Sequence, residues 1–178
     1  QVDDQNIPHL VYRHNTTSQL ELATGGSSWT LTDLGEEHEA VSIQHPTAVL
    51  SNNSLAIGLV SSNGTGTNLA VWMYDGTELS KHDVANHTDL HSELGLTVLD
   101  NGSLLLAALT TGGALSVHEL WPGSDVWQEH TAPQPSGTNN EYRLDLSGGD
   151  HPLMAVRGNA ISSIYGLNQT CLLYTSDA

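Results

Sequence analysis

Basic residues are what this chain has least of. Only Arg13, Lys81, Arg143 and Arg157 stand against 20 acidic residues, for a formal charge of −16. Such a surface repels phosphate backbones and anionic headgroups, which excludes nucleic acids and membrane surfaces as partners. Cysteine is scarcer still. Cys171 alone gives neither a disulfide framework nor a thiolate zinc site. No apolar run approaches the roughly 18 residues that a membrane span requires. The opening QVDDQNIPH has no signal-peptide core, so a signal has been removed or was never there. A sustained helical stripe with a cap and a stop is also missing.

What is present is strand and turn. TAVL, SLAIGLV, NLAVWMY, LTVL, SLLLAAL and ALSVHEL are apolar or alternating runs of strand length. Between them lie NNS, SSNGTG, YDG, DNGS, TTGG and PGSD, rich in the residues that supply positive φ or bond their own backbone. The class is all-β.

The chain also repeats. VLSNNSLAIGLV begins at residue 49 and VLDNGSLLLAAL at residue 98, a step of 49. Each continues through a hairpin turn, a third strand, a glycine turn and a fourth strand. Four short strands in under 50 residues describe a propeller blade, and a period of this length is a mark of repeat architecture. An earlier partner, SQLELATGGSSW, lacks its preceding half, and GNAISSIYGL begins a later unit. The expectation is therefore a β-propeller over residues 1–170 with about three and a half blades. A ring needs at least four blades, so further sequence completes it or chains assemble as a homo-oligomer. The ending CLLYTSDA has no repeat partner, which sets residues 171–178 apart as a non-native tail.

Within the repeat, Glu21-Leu22-x-x-Gly25-x-x-x-Trp29 recurs 98 residues later as Glu119-Leu120-x-x-Gly123-x-x-x-Trp127. The blade between keeps the turn as Asp75-Gly76, with Trp72 and Ser80 at the Glu and Trp positions. LVYRHNTTSQLELATGGSSWTLTDL, residues 10–34, resembles a blade of the fungal fucose-lectin-like β-propellers. In that family a VYYQ-type strand, a Gly/Asn turn, an I-x-E-L strand and a Gly-then-Trp turn follow in order. VYRH at 11–14, QLEL at 19–22 and GGSSW at 25–29 fill those places. The resemblance implies a secreted propeller that holds sugars in pockets between adjacent blades. It departs from the family at one place, where Leu10 occupies the position of the pocket arginine.

The candidate carbohydrate-binding residues are accordingly Glu21, Trp29, Trp72, Glu119 and Trp127. An aromatic face stacks on the C–H side of a sugar, and a carboxylate accepts hydrogen bonds from its hydroxyls. The competing reading makes the tryptophans inter-blade core and the glutamates solvated strand residues. The densest group of metal-ligand types is His82, Asp83, His87, Asp89, His91 and Glu93, where His87 and His91 would share one face of a helix. It lacks HExxH and does not repeat in neighbouring blades, so no metal and no other cofactor is expected. No G-x-S-x-G, P-loop or dinucleotide fingerprint occurs, and the Ser-x-Asp part of a sialidase-type box is absent. Non-catalytic glycan binding thus stands ahead of a structural or adhesive propeller, and ahead of a propeller glycoside hydrolase.

Six of the twelve asparagines, Asn15, Asn52, Asn63, Asn86, Asn101 and Asn168, begin Asn-x-Ser/Thr sequons. Chance at this Ser/Thr content gives about two, and the excess points to a secreted, extracellular glycoprotein.

Overall fold

The computed structural model describes residues 1–3, 5–14, 16, 19–34, 47–51, 54–62, 66–87, 90–110, 114–132, 143–146, 153–157, 162–166 and 174–176, several strands by backbone alone. These form four successive antiparallel sheets, each wound from strands adjacent in sequence. Sheet I holds β1 (His9–Arg13), β2 (Leu20–Thr24) and β3 (Thr30–Asp33). Sheet II holds β4 (Thr47–Ser51), β5 (Ser54–Ser62), β6 (Thr67–Tyr74) and β7 (Leu79–His87). Sheet III holds β8 (Leu90–Val98), β9 (Leu104–Thr110), β10 (Leu115–Leu120) and β11 (Gln128–His130). Sheet IV holds β12 (Arg143–Leu146), β13 (Leu153–Arg157), β14 (Ser162–Gly166) and β15 (Tyr174–Ser176). This is the repeating unit that the 49-residue period predicts, with sheet I short of its first strand.

Turn chemistry closes these hairpins. Gly76, Gly102 and Gly123 have φ of +101°, +83° and +76°, a region that glycine enters without steric cost. Asp75 fastens the β6–β7 turn, its Oδ1 accepting the N–H groups of Thr77 and Glu78 at 2.8 Å each. Those two bonds, Glu78's the larger, hold the Asp75 carboxyl below its ordinary pKa. Asn53, expected to match Gly102, lies outside the described residues.

Alternation along each strand gives every sheet two faces, and the two faces of sheets II and III pack on different neighbours. Val11, Leu20, Leu22 and Leu34 of sheet I pack against Leu55, Ile57, Leu59 and Trp72 of sheet II. The opposite face of sheet II, with Ala56, Val60, Leu69 and Val71, meets Leu94, Leu96, Leu104, Leu106 and Ala108 of sheet III. The far face of sheet III carries Leu105, Ala107, Leu109, Leu115 and Val117, against which Leu146 of sheet IV packs. Leu55 and Leu104 thus occupy corresponding layers, each buried against the preceding sheet, as the repeat requires. The first strands β4, β8 and β12 lie side by side. Ala56, Gly58, Ala107 and Ala108, the small residues of the two repeated runs, sit one strand further out on β5 and β9.

Candidate functional site

The open face of sheet I is the side turned away from sheet II. Pro8 accepts the Gly25 N–H at 2.8 Å, extending the β1–β2 ladder. Glu21 pairs with Tyr12 and Asp33, and Ala23 with Leu10 and Leu31. Since Val11 and Leu22 face sheet II, alternation turns Leu10, Tyr12, Glu21, Ala23, Gly25, Leu31 and Asp33 to the open side. The Trp29 indole lies over Gly25, whose missing Cβ would come 2.7–2.8 Å from the six-membered ring. Trp29 is 56 % exposed, and Leu10 and Leu31 are exposed beside it. Gly25 is therefore required by the indole rather than by backbone conformation.

At the other end of this face the Tyr12 hydroxyl donates to Glu21 Oε2. That bond raises the Tyr12 pKa above its ordinary value of 10.0, because ionisation would strip the carboxylate of its donor. Tyr12 holds its proton more firmly when folded, so this stabilisation is complete below the unfolded value and is lost as pH rises through the folded one. Tyrosinate absorbance should therefore show a tyrosine titrating above 10.0, and Glu21→Gln should bring it back towards that value.

Sheet III arranges the matching residues differently. Glu119 pairs with Leu105 and Gln128, and so shares the face turned to sheet IV. It is buried there, 3.0 Å from His130 Nε2. Trp127 adjoins Gln128 and packs on the opposite side, against the core shared with sheet II. Glu119 and Trp127 therefore do not form the expected pair. Nor are Glu21 and Glu119 equivalent, since one faces away from the next sheet and the other towards it. The two tryptophans share only a face: Trp127 lies on the side of sheet III away from sheet IV, and Trp29 on the side of sheet I away from sheet II. In the middle blade, Met73 pairs with Ala56 as Glu119 pairs with Leu105, so Met73 and not Trp72 takes the Glu position. Trp72 is 5 % exposed, in the core between sheets I and II.

The histidine-rich stretch is strand rather than helix, which places His87 on β7 and His91 on β8 instead of one turn apart. Asp83 bonds Lys81 at 2.9 Å and Asn68 at 2.8 Å, and the Lys81 contact leads in lowering its pKa. Among the described residues no group of three metal-ligand side chains assembles. Sequence reasoning missed Tyr12 and Asp33, which the register alone brings beside Glu21.

Four consecutive antiparallel sheets, packed face to face with the first strands of sheets II, III and IV adjacent, decide the architecture. The fold is a β-propeller. Solved structures agree. The chain is similar to a six-bladed fucose-recognising lectin from the fungus Aleuria aurantia at a TM-score of 0.65 and 14 % identity. That match covers 98 % of this chain and 62 % of the lectin. A mutant of that lectin, in complexes with α-methyl-L-fucoside and with Fucα1-6GlcNAc, matches at a TM-score of 0.57 and 14 % identity. These matches cover 98 % of this chain and 63 % of the mutant. The propeller described here thus spans less than two thirds of those six-bladed chains. No protein-family model and no curated protein sequence matches it.

Proposed function

We propose that this propeller binds carbohydrate without catalysing a reaction, on the open face of sheet I. The observation that carries the reading is the exposed Trp29 indole, laid on Gly25 on the same face as Tyr12, Glu21 and Asp33. One sugar ring would stack on the indole, and hydroxyls further along an oligosaccharide would donate protons to the two carboxylates at the other end of the face. The lectin fold of the solved neighbours supports the same reading. In sheets II and III the corresponding face meets the preceding sheet, which favours a sugar held at a seam between blades.

The face offers acceptors, and Leu10 stands where the resembling family has an arginine. We therefore assign neutral, hydroxyl-rich sugars as its ligands, and the acidic surface repels uronic and sialic acids. L-fucosides, held in the neighbours' complexes, come first among neutral candidates. We further propose that the protein is a secreted glycoprotein, consistent with its sequons and with Asn101 exposed in the β8–β9 turn. Titrating neutral oligosaccharides against intrinsic tryptophan fluorescence tests the site. Trp29→Ala should abolish the response, and Glu21→Gln should weaken binding about tenfold, the scale of one charge-assisted hydrogen bond. An undiminished response in Trp29→Ala would remove this face from the reading.

A further inference from the structure

The β8–β9 and β10–β11 turns meet at one end of sheet III. Asn101 stands exposed in the first of them. Its Oδ1 accepts the Ser103 N–H at 2.9 Å, which folds the side chain back towards β9. Register then decides what lies beside it. Leu104 pairs with Leu120, so one step further sets Trp121 across from Ser103, at the ~5 Å spacing of cross-strand neighbours. Pro122 reports the same approach, its Cγ lying 3.4 Å from where a Gly102 Cβ would stand. The second turn is stiff. Ser124 N–H donates to Trp121 O at 3.0 Å, and Ser124 Oγ accepts the Val126 N–H at 3.1 Å. It nevertheless leaves Trp121 46 % and Val126 69 % exposed. An indole held this way loses little freedom on contact with a partner. In sheet II the matching place is filled by Asp75, since Met73 takes the Glu119 position. The arrangement belongs to sheet III.

We propose that the first N-acetylglucosamine carried by Asn101 lies on the Trp121 indole and fastens the β8–β9 turn to the β10–β11 turn. The inference rests on the reading of this protein as a secreted glycoprotein, and not on the open face of sheet I. With Oδ1 engaged by Ser103, the glycan leaves from Nδ2 of a side chain already turned towards the residue opposite Trp121. One pyranose ring bridges an interval of that size and presents its C–H side to the indole. The sugar is neutral, so the charge of −16 does not oppose the contact. The Asn101-Gly102-Ser103 sequon also dates the modification. Ser103 is fully buried, and its hydroxyl has no hydrogen-bond partner among the described residues. An acceptor site closed in this way is reached only before the hairpin forms.

The test uses the full chain secreted by eukaryotic cells, its glycans trimmed enzymatically to one N-acetylglucosamine per sequon. Ser103→Ala abolishes the sequon but keeps Asn101 and the backbone N–H that it accepts. Urea unfolding of the parent, Ser103→Ala, Trp121→Ala and the double variant forms a cycle. Loss of the sugar should lower the folded-to-unfolded ratio about fivefold with Trp121 present, the scale of one aromatic contact. With alanine at 121 it should change little. The same four chains made without glycans in bacteria should show additive effects, which separates the sugar from the serine hydroxyl. If a variant does not fold, nuclear Overhauser contacts between the Trp121 ring and the sugar protons of the trimmed parent decide. Peptide masses report which sequons are occupied. An occupied Asn101 with additive effects in the cycle, or without Overhauser contacts, would overturn this inference alone. So would an empty Asn101 beside occupied sequons elsewhere. Glycan missing from all six sequons would overturn the glycoprotein reading with it.

Discussion

Trp72→Ala should destabilise the protein by about 3–5 kcal/mol, the range for removing a large buried aromatic. Trp72 lies between Val11, Leu20 and Leu22 of sheet I and Leu55, Ile57 and Leu59 of sheet II, so its loss opens a cavity lined from both sides. Neither sheet can move in to fill it without breaking its own ladder, which keeps the cavity term large. Trp29→Ala should differ sharply. With more than half its surface in water and glycine beneath it, Trp29 should contribute less than about 0.5 kcal/mol. Urea unfolding of the two variants separates a core tryptophan from a surface one. Equal losses of stability would contradict the assignment of Trp29 to an exposed platform.

Leu106→Ala should cost roughly 2–5 kcal/mol, towards the upper end. Leu106 is fully buried on β9, at the seam of sheets II and III. Its Cδ1 would lie 3.3 Å from a Cβ at Gly58, and Ala56 and Ala108 belong to the same core. Small residues have no side chain to swing into a vacated space, so the cavity persists. Gly58 itself is required by close approach, since an added Cβ would stand 2.9 Å from Leu94 Cδ1. A loss below about 1 kcal/mol, measured by urea unfolding, would mean that the seam is not packed as described.

The blades were legible in the sequence because their signals are local. Apolar runs of strand length and glycine turns recur at a fixed period, and Leu55 and Leu104 took the layers that this period assigns. Which face a side chain occupies was not legible, because that depends on where each strand turns. β2 continues to Thr24 and pairs it with Thr30, whereas β10 stops at Leu120 and pairs Glu119 with Gln128. Identical Glu-to-Trp spacings therefore wind through different turns, and Glu21 and Glu119 emerge on opposite sides. Trp72 was misplaced by one residue for the same reason, since the Asp-Gly turn it was aligned on does not fix the register of β6. Tyr12 and Asp33 are separated from Glu21 by 9 and 12 positions along the chain, and only strand pairing gathers them. The histidine cluster went the other way: a spacing suited to a helix is split between two strands.

Glycan-panel binding by the protein and its Gly25→Ala variant tests the central claim most directly. The φ of Gly25 lies outside the left-handed region, so alanine is tolerated by the backbone there. Its methyl group would occupy the space 2.7 Å from the Trp29 ring and lift the indole off the sheet. The account predicts that the protein binds at least one neutral glycan and that Gly25→Ala loses this binding while unfolding at nearly the same urea concentration. A panel without any bound glycan, or a variant that binds as the parent does, would contradict it.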